Sequence, residues 1–133
     1  MVTGVLIDSN FYITHLRAGR NPFQELSAAG DDWELFTCGM VMLEVLRGVR
    51  DPWQLAKIEA SLSLMNFIPT SDPIWTKARQ LAWQLDRRGI IIPARDHVIA
   101  ACALQAHIAV LTADGHFQHV PGLTVLEQLP PPA

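Results

Sequence analysis

Two aspartates each follow a short apolar run that is typical of a buried β-strand. Asp8 comes directly after Val5-Leu6-Ile7, and Asp114 follows the apolar residues 109–112 with one residue between. In open α/β sheets, ligands bind beyond the carboxyl ends of the strands, so both carboxylates are expected at that edge. Each also has a purely structural explanation, because Asp8 could cap the next helix and Asp114 could form a turn with Gly115.

Two further acids occur in strongly apolar helical segments. Glu44 lies within residues 40–46, which are otherwise hydrophobic, and a carboxylate is rarely buried unless it is paired or bound to a metal. The structural alternative for Glu44 is a buried ion pair with Arg47 or Arg50. Asp96 begins a helix whose next turns are almost wholly apolar, and capping of that helix is its alternative explanation.

The chemistry of these four acids is best considered together. Four carboxylates brought to one edge would repel one another, and the pKa of at least one would rise. A divalent cation removes this repulsion. Because all the candidate ligands are oxygen atoms, the predicted ion is Mg²⁺, with Mn²⁺ as the other possibility, and not Zn²⁺.

The elements that must position the acids alternate along the chain, which predicts an α/β domain with a mostly parallel sheet. The predicted strands cover residues 3–7, 34–38, 66–69, 109–112 and 123–126. The predicted helices cover residues 10–19, 22–29, 40–49, 52–65, 71–88 and 96–107, with one helical turn at 114–118. The helix at 40–49 is apolar on all sides, so it is expected to be largely buried. Residues 90–92 fit either a loop or a short strand.

Length and composition indicate one folded domain. The chain has 133 residues, of which 50% are hydrophobic and 17% are charged. We expect the domain to cover residues 1–129, with residues 130–133 as a frayed tail. No apolar run approaches the roughly 20 residues that cross a bilayer, and no secretory signal is visible, so a cytoplasmic location is predicted. The net charge is −3, but eight of the ten basic residues are arginine, which permits RNA binding.

Four short segments resemble the motifs of PIN domains. They are Asp8-Ser9-Asn10, Leu43-Glu44-Val45-Leu46-Arg47-Gly48, Pro93-Ala94-Arg95-Asp96 leading into Ile99-Ala100-Ala101, and Leu111-Thr112-Ala113-Asp114 with His116-Phe117. The resemblance covers essentially the whole chain and is strongest to the VapC-type toxins of toxin–antitoxin pairs. His97 is a departure, since a smaller or apolar residue is expected there. It is compatible with a substrate contact or with an ordinary surface histidine.

The resemblance implies a three-layer α/β/α fold and a metal-dependent endoribonuclease that is inhibited by a small antitoxin protein. Asp8, Glu44, Asp96 and Asp114 would bind Mg²⁺, with Asn10 and Thr112 as supporting polar groups. In that mechanism the metal activates a water molecule, which attacks the RNA phosphodiester. Asp8 and Asp96 are the first choice for direct ligands, whereas Asp114 and Glu44 could act directly or through water. Three further residues could meet phosphates or could be ordinary solvated side chains: Arg47, Arg95 and His116.

Three other functions remain open from the residues. A haloacid-dehalogenase-like phosphatase would need a second acid two residues after Asp8, but position 10 is Asn. A metal-free ribonuclease would use two histidines, and no two of the five have a compelling arrangement. A PIN-like module could also bind RNA or protein without catalysis.

The apolar helices at 40–49 and 55–65 suggest a surface for a partner. Met40, Met42 and Met65 would suit an adaptable groove that receives an amphipathic helix of the antitoxin. The same helices could instead pack on the sheet or form a homodimer, and a homodimer is the expected oligomeric state.

Overall fold

A central sheet of five parallel strands organises the protein. The computed structural model describes residues 3–129, so the predicted tail at 130–133 lies outside the described residues. The strands are β1 (Thr3–Ile7), β2 (Trp33–Cys38), β3 (Asn66–Ile68), β4 (Ala109–Leu111) and β5 (Val125–Leu126). Their order is β3-β2-β1-β4-β5, and every neighbouring pair is parallel. The prediction of an α/β domain with a parallel sheet is confirmed.

Six α-helices flank this sheet. They are α1 (Ser9–Arg17), α2 (Pro22–Ala28), α3 (Gly39–Arg47), α4 (Pro52–Ser63), α5 (Asp72–Arg87) and α6 (Ala94–Ala106), and a 3₁₀ helix spans Gly115–His119. Local sequence explains several boundaries. Both α2 and α4 begin with proline, and the side chains of Asn21 and Asp51 cap them by accepting from backbone N–H groups. Residues 90–92 form a loop.

The strand order reverses at the centre of the sheet. From β1 the chain moves to β2 and β3 on one side, and it then returns to add β4 and β5 on the other side. With right-handed crossovers, the connections in these two directions cover opposite faces of the sheet. The crevice at such a switch point, outside the carboxyl ends of the strands, is where α/β proteins bind ligands. Asp8 and Asp114 follow β1 and β4, the two strands that flank this point.

The core is formed by the central strands and by α6. Val5, Leu6 and Ile7 have no exposed surface, and every residue of α6 from Asp96 to Ala103 is buried. In contrast, the prediction that α3 is largely buried is wrong. Val41 and Val45 of α3 are buried, but Leu43 is 57% exposed, because α3 packs through one face only. Among residues 3–129, no helix is long and apolar enough to span a bilayer.

Candidate active site

Asp8 lies between the ends of the two central strands. Its backbone N–H donates to the carbonyl of Leu111 at 3.0 Å, which joins the end of β1 to the end of β4. Asp8 occupies the N-cap position of α1, yet its side chain makes no capping hydrogen bond. Instead, its Oδ2 accepts from the hydroxyl of Thr112 at 2.8 Å, and the residue is only 1% exposed. Capping therefore does not explain the orientation of this carboxylate.

Glu44 reaches the same region from α3. Its Oε2 accepts from Nε of Arg95 at 2.8 Å, so its ion pair is with Arg95 and not with Arg47 or Arg50. Its Oε1 lies 3.1 Å from the hydroxyl of Ser9. The same hydroxyl is 3.4 Å from Oδ1 of Asp8, and its single proton can serve one carboxylate at a time.

Ser9 is the site residue that the sequence reasoning missed. It is buried, and it lies between two of the predicted metal-binding acids. The available signal was its position directly after Asp8 within the first PIN-like motif. Its role as a link to Glu44 depends on the packing of α1 against α3, which no local pattern shows.

Asp96, Asp114 and His116 form the other half of the site. Nδ1 of His116 is 2.9 Å from Oδ2 of Asp96 and 3.2 Å from Oδ1 of Asp114. Asp114 also caps the 3₁₀ helix, since its Oδ1 accepts from the backbone N–H of His116 at 3.0 Å. Its Oδ2 accepts from Nδ2 of Asn10 at 3.1 Å. Asn10 and Thr112 thus each orient one carboxylate, the arrangement expected of supporting groups.

Burial and mutual repulsion affect the acids of the site. Desolvation is the main cause that raises the pKa of Asp8 from 3.8 to about 6, and the charges of Asp96 and Glu44 add to the effect. Desolvation also raises the pKa values of Glu44 and Asp96. The hydrogen bond from Ser9 and the positive charge of Arg95 oppose this rise at Glu44. Burial therefore raises these pKa values more than the mutual repulsion between the acids does, and repulsion was the cause expected from the sequence.

The donor set fits a hard divalent cation. Four carboxylates from four separate elements share this edge, and several of their oxygens have one hydrogen-bond donor or none among the described residues. Within residues 3–129, one group of three potential ligands is close enough to share an ion. It consists of Asp96, Asp114 and His116, each of which offers one ligand atom, and these three atoms lie within 4.8 Å of one another. Carboxylate oxygens are the preferred ligands of Mg²⁺ and Mn²⁺, so Asp96 and Asp114 would hold the ion, with Asp8 and Glu44 alongside.

The remaining candidates lie at the margin of the site. Arg47 and Arg95 are exposed, and Arg47 affects Glu44 only as a nearby charge that lowers its pKa. His97 is buried, so its interpretation as a surface histidine is wrong, and its Nδ1 has no hydrogen-bond partner among the described residues. His15 pairs with Glu25 at 2.6 Å, away from the acids. Within residues 3–129, His116 is the one histidine whose ring contacts the acids of the site, so a pair of catalytic histidines is not assembled there.

An open cavity of about 500 Å³ lies next to the site and is lined by two residues that contact its acids, although none of the four acids lines it. Asn10 and Thr112 belong to its lining, and Phe11 and Leu26 contribute apolar surface. Its volume falls within the range of pockets that hold small organic ligands. Space for a small group is therefore available on the far side of Asn10 and Thr112, one residue away from the carboxylates.

Known proteins resemble this chain in sequence pattern and in fold. A family model described as "PIN domain" matches residues 5–123. The fold is similar to that of VapBC2 from Rickettsia felis, which was solved bound to a DNA fragment from its promoter. The TM-score is 0.79, and the sequences are 19% identical over 92% of this chain and 97% of that one. It is similar to VapBC-1 of nontypeable Haemophilus influenzae, with a TM-score of 0.75 and 21% identity over 92% and 96%.

A third structure of similar fold is Mycobacterium tuberculosis VapC20, which is described as a sarcin-ricin loop cleaving toxin. Its TM-score is 0.65, with 16% identity over 86% of this chain and 92% of that one. No curated protein matches the chain significantly. Because the family model covers most of the sequence and the four motifs meet at one sheet edge, the chain belongs to the PIN domain family.

Proposed function

We propose that this protein is a metal-dependent endoribonuclease and the toxin of a VapBC-type pair. The observation that carries the proposal is the convergence of Asp8, Glu44, Asp96 and Asp114 beyond the carboxyl ends of β1 and β4. The structures of similar fold include VapBC proteins of toxin–antitoxin systems, and a further one, VapC20, is named as a toxin that cleaves the sarcin-ricin loop. We also propose a cytoplasmic location, where RNA and the antitoxin would both be met.

Each residue of the site has a role in the proposed reaction. When bound, Mg²⁺ or Mn²⁺ would lower the pKa of a water molecule toward neutrality and stabilise charge on the scissile phosphate. Asp8, Asp96 and Asp114 would hold the ion. Glu44, fixed by Ser9 and Arg95, would accept a hydrogen bond from the attacking water and orient it. The cavity beside Asn10 and Thr112 would receive an adjacent nucleotide.

Arg95 is suited to contact the phosphate. Its Nε donates to Glu44 at 2.8 Å, while its side chain is about half exposed at the mouth of the site. The two terminal nitrogens of the guanidinium can then donate to a phosphate without breaking the ion pair. Arg47 would add positive charge nearby, and the other ring nitrogen of His116, Nε2, would be free to donate a hydrogen bond.

The decisive experiment replaces Asp8 by Asn. Asp8→Asn keeps the shape of the side chain and removes one charge from the metal site, so cleavage of RNA in Mg²⁺ should fall at least about a hundredfold. The circular dichroism spectrum should stay that of a folded protein. Asp31→Asn, at an exposed turn before β2, is the matched control and should keep full activity. Full activity of Asp8→Asn would contradict the assignment.

The products distinguish metal-activated water from a two-histidine mechanism. Attack by water leaves a 3′-hydroxyl and a 5′-phosphate, and cleavage should stop in EDTA. Cyclic 2′,3′-phosphate ends, or activity that survives EDTA, would reject the metal mechanism. A folded protein that binds RNA without cutting it under any divalent ion would instead be a binding module.

The proposed antitoxin site is a groove between α2 and α4. Two cavities meet there and share Phe23 and Ser61, with Ile58, Leu64 and Met65 among the other lining residues. This differs in part from the sequence expectation. All three methionines pack against the core, but only Met65 lines the groove, and Met40 and Met42 line neither of its cavities. An amphipathic helix would place its apolar face in such a groove.

Two assembly experiments test this part of the proposal. The product of the adjacent gene should co-purify with this protein and suppress RNA cleavage. Failure of both would remove the antitoxin proposal and leave the nuclease proposal intact. The expected homodimer is tested by light scattering on the purified protein, where the mass of a single chain would contradict it.

A further inference from the structure

His116 is fixed by the fold between two carboxylates. Its backbone N–H donates to Asp114, which caps the 3₁₀ helix, and its ring nitrogen Nδ1 faces both Asp96 and Asp114. The distances from Nδ1 are 2.9 Å to Oδ2 of Asp96 and 3.2 Å to Oδ1 of Asp114. The ring nitrogen Nδ1 is therefore part of the acidic edge, while 44% of the side chain remains exposed.

These distances match the spacing of neighbouring ligands around one small cation. Adjacent ligands of an octahedral ion are separated by about 3 Å when each bond is about 2.1 Å long. Nδ1 of His116 thus occupies the position that a third ligand beside the two carboxylates would take. An ion bound between these atoms would replace the two hydrogen-bonding contacts by shared coordination.

A nitrogen ligand changes which ion the site prefers. Mg²⁺ takes oxygen ligands and retains several waters, whereas imidazole is a ligand typical of transition metals. We propose that Nδ1 of His116 is a direct ligand of the divalent ion held by Asp96 and Asp114, and that it makes the site favour Mn²⁺ over Mg²⁺. This inference rests on the proposed function, because it concerns the ion that the proposed nuclease would use.

If His116 were a positively charged counterion of the two carboxylates and not a metal ligand, its removal would have the opposite effect on metal binding. As an imidazolium counterion, His116 would have to leave the site before any cation could bind. Its removal would then strengthen the binding of both ions, whereas removal of a ligand weakens the binding of Mn²⁺ selectively.

The test compares His116→Gln with His119→Gln in the full-length protein. His119 is an exposed histidine of the same 3₁₀ helix and is the matched control. Mn²⁺ binding is measured from the loss of the free-ion signal in electron paramagnetic resonance, and Mg²⁺ binding from competition with Mn²⁺. His116→Gln should weaken Mn²⁺ binding at least about tenfold, because a loss of this size is typical even of residues that only support a metal ligand. It should weaken Mg²⁺ binding by less than about threefold.

Pulsed measurements on bound Mn²⁺ supply a direct readout. A ¹⁴N coupling from the ring should appear in the unmodified protein and in His119→Gln, and it should be absent from His116→Gln. Equal effects on both ions, tighter binding, or no ¹⁴N coupling in the unmodified protein would overturn the role of His116.

A second variant separates this outcome from failure of the proposed function. Asp96→Asn should abolish binding of both ions, with folding checked by circular dichroism. If the unmodified protein cleaves RNA with a divalent ion but shows no ¹⁴N coupling, only the role of His116 falls. If it binds no divalent ion at all, the proposed nuclease falls with it.

Discussion

Asp8 is buried at a position where its negative charge is destabilising. The hydroxyl of Thr112 donates a hydrogen bond of 2.8 Å, and the more distant hydroxyl of Ser9 is shared with Glu44, so only part of the hydration that a carboxylate has in water is replaced. Burial first, and then the charges of Asp96 and Glu44, raise the pKa of Asp8 to about 6. The fold therefore retains a group that weakens it at neutral pH, which is expected where a carboxylate serves a ligand and not the core.

The stability of the metal-free protein should depend on pH in a defined direction. The folded carboxyl of Asp8 binds its proton more tightly than the unfolded chain does, because its pKa is raised from 3.8 to about 6. The free energy of unfolding should then fall as the pH rises through this range, by at most about 3 kcal/mol from Asp8. Asp8→Asn removes this loss, so in EDTA at about pH 7.5 the variant should be more stable by roughly 1–3 kcal/mol.

Urea denaturation of both proteins provides the measurement. The difference in the free energy of unfolding should shrink as the pH falls below about 6 and approach zero only below about pH 3.8, where Asp8 is protonated in both the folded and the unfolded protein. Saturating Mg²⁺ at neutral pH should stabilise the unmodified protein more than the variant. A variant that is less stable at neutral pH would show that the charge of Asp8 is compensated within the fold.

Arg95 should control the ionisation of Glu44 as well as contact RNA. Its positive charge lowers the pKa of Glu44, against the effect of burial. In Arg95→Ala the pKa of Glu44 should rise, so the acid limb of the pH–rate profile should move to higher pH. A rise of one unit would reduce activity below that limb about tenfold. The control is Arg50→Ala, which removes an exposed arginine outside this ion pair. If Arg95→Ala instead lowered activity equally at all pH values, Arg95 would act on the phosphate alone.

At the scale of elements, the strand β1 requires close approach to its neighbours. A Cβ on Gly4 would lie 2.5 Å from Cγ2 of Ile108 and 3.1 Å from the ring of Phe36. Gly4→Ala should therefore destabilise the protein by about 1–3 kcal/mol, because side chains must shift to relieve the overlap.

Gly39→Ala is the matched control for this prediction. Gly39 begins α3, and a Cβ there meets nothing within 4 Å. Alanine should be neutral or stabilising by up to about 1 kcal/mol, since it restricts the unfolded chain. Thermal unfolding of the two variants gives the comparison, and equal melting temperatures would contradict the packing described around β1.

The elements were largely predictable, but their contacts were not. Apolar runs and capping residues such as Asn21 and Asp51 indicate where strands and helices begin, because these signals are local. The partner of Glu44 is different: Arg95 is supplied by another helix, so the sequence favoured the nearby Arg47 and Arg50. The exposure of Leu43 was also missed, since hydrophobicity alone does not tell whether a residue faces the core or a surface that a partner covers.

At the scale of the whole molecule, large apolar side chains remain exposed around α4. Trp53 is 68% exposed and Leu64 is 89% exposed, although the protein has a well-buried core. Leu64 lines the groove, whereas Trp53, on α4, lies outside its lining, and exposed apolar residues beside a groove are typical of an interaction surface. This distribution agrees with the proposed antitoxin site between α2 and α4.

Leu64→Ser should weaken inhibition by the antitoxin while RNA cleavage in its absence stays unchanged. The loss of a leucine contact in the groove should lower affinity about tenfold, which corresponds to roughly 1.4 kcal/mol. Trp83→Ser, on the exposed face of α5, removes a comparably exposed apolar side chain outside the groove and should leave inhibition unchanged. Titration of cleavage with purified antitoxin measures both, and equal inhibition of the two variants would place the antitoxin elsewhere.

The pairing of the first strand with the fourth has a consequence for synthesis of the protein on the ribosome. The hydrogen bonds from Thr112 to Asp8 and from Asn10 to Asp114 each join residues 104 positions apart. Translation of such a stretch takes roughly 5–20 s at about 5–20 residues per second. Throughout that time the nascent chain carries Asp8 without the strand that completes its surroundings. In the proposed nuclease, the metal site would therefore be complete only after β4 and the residues up to Asp114 have been added, so cleavage of RNA would begin only after that point.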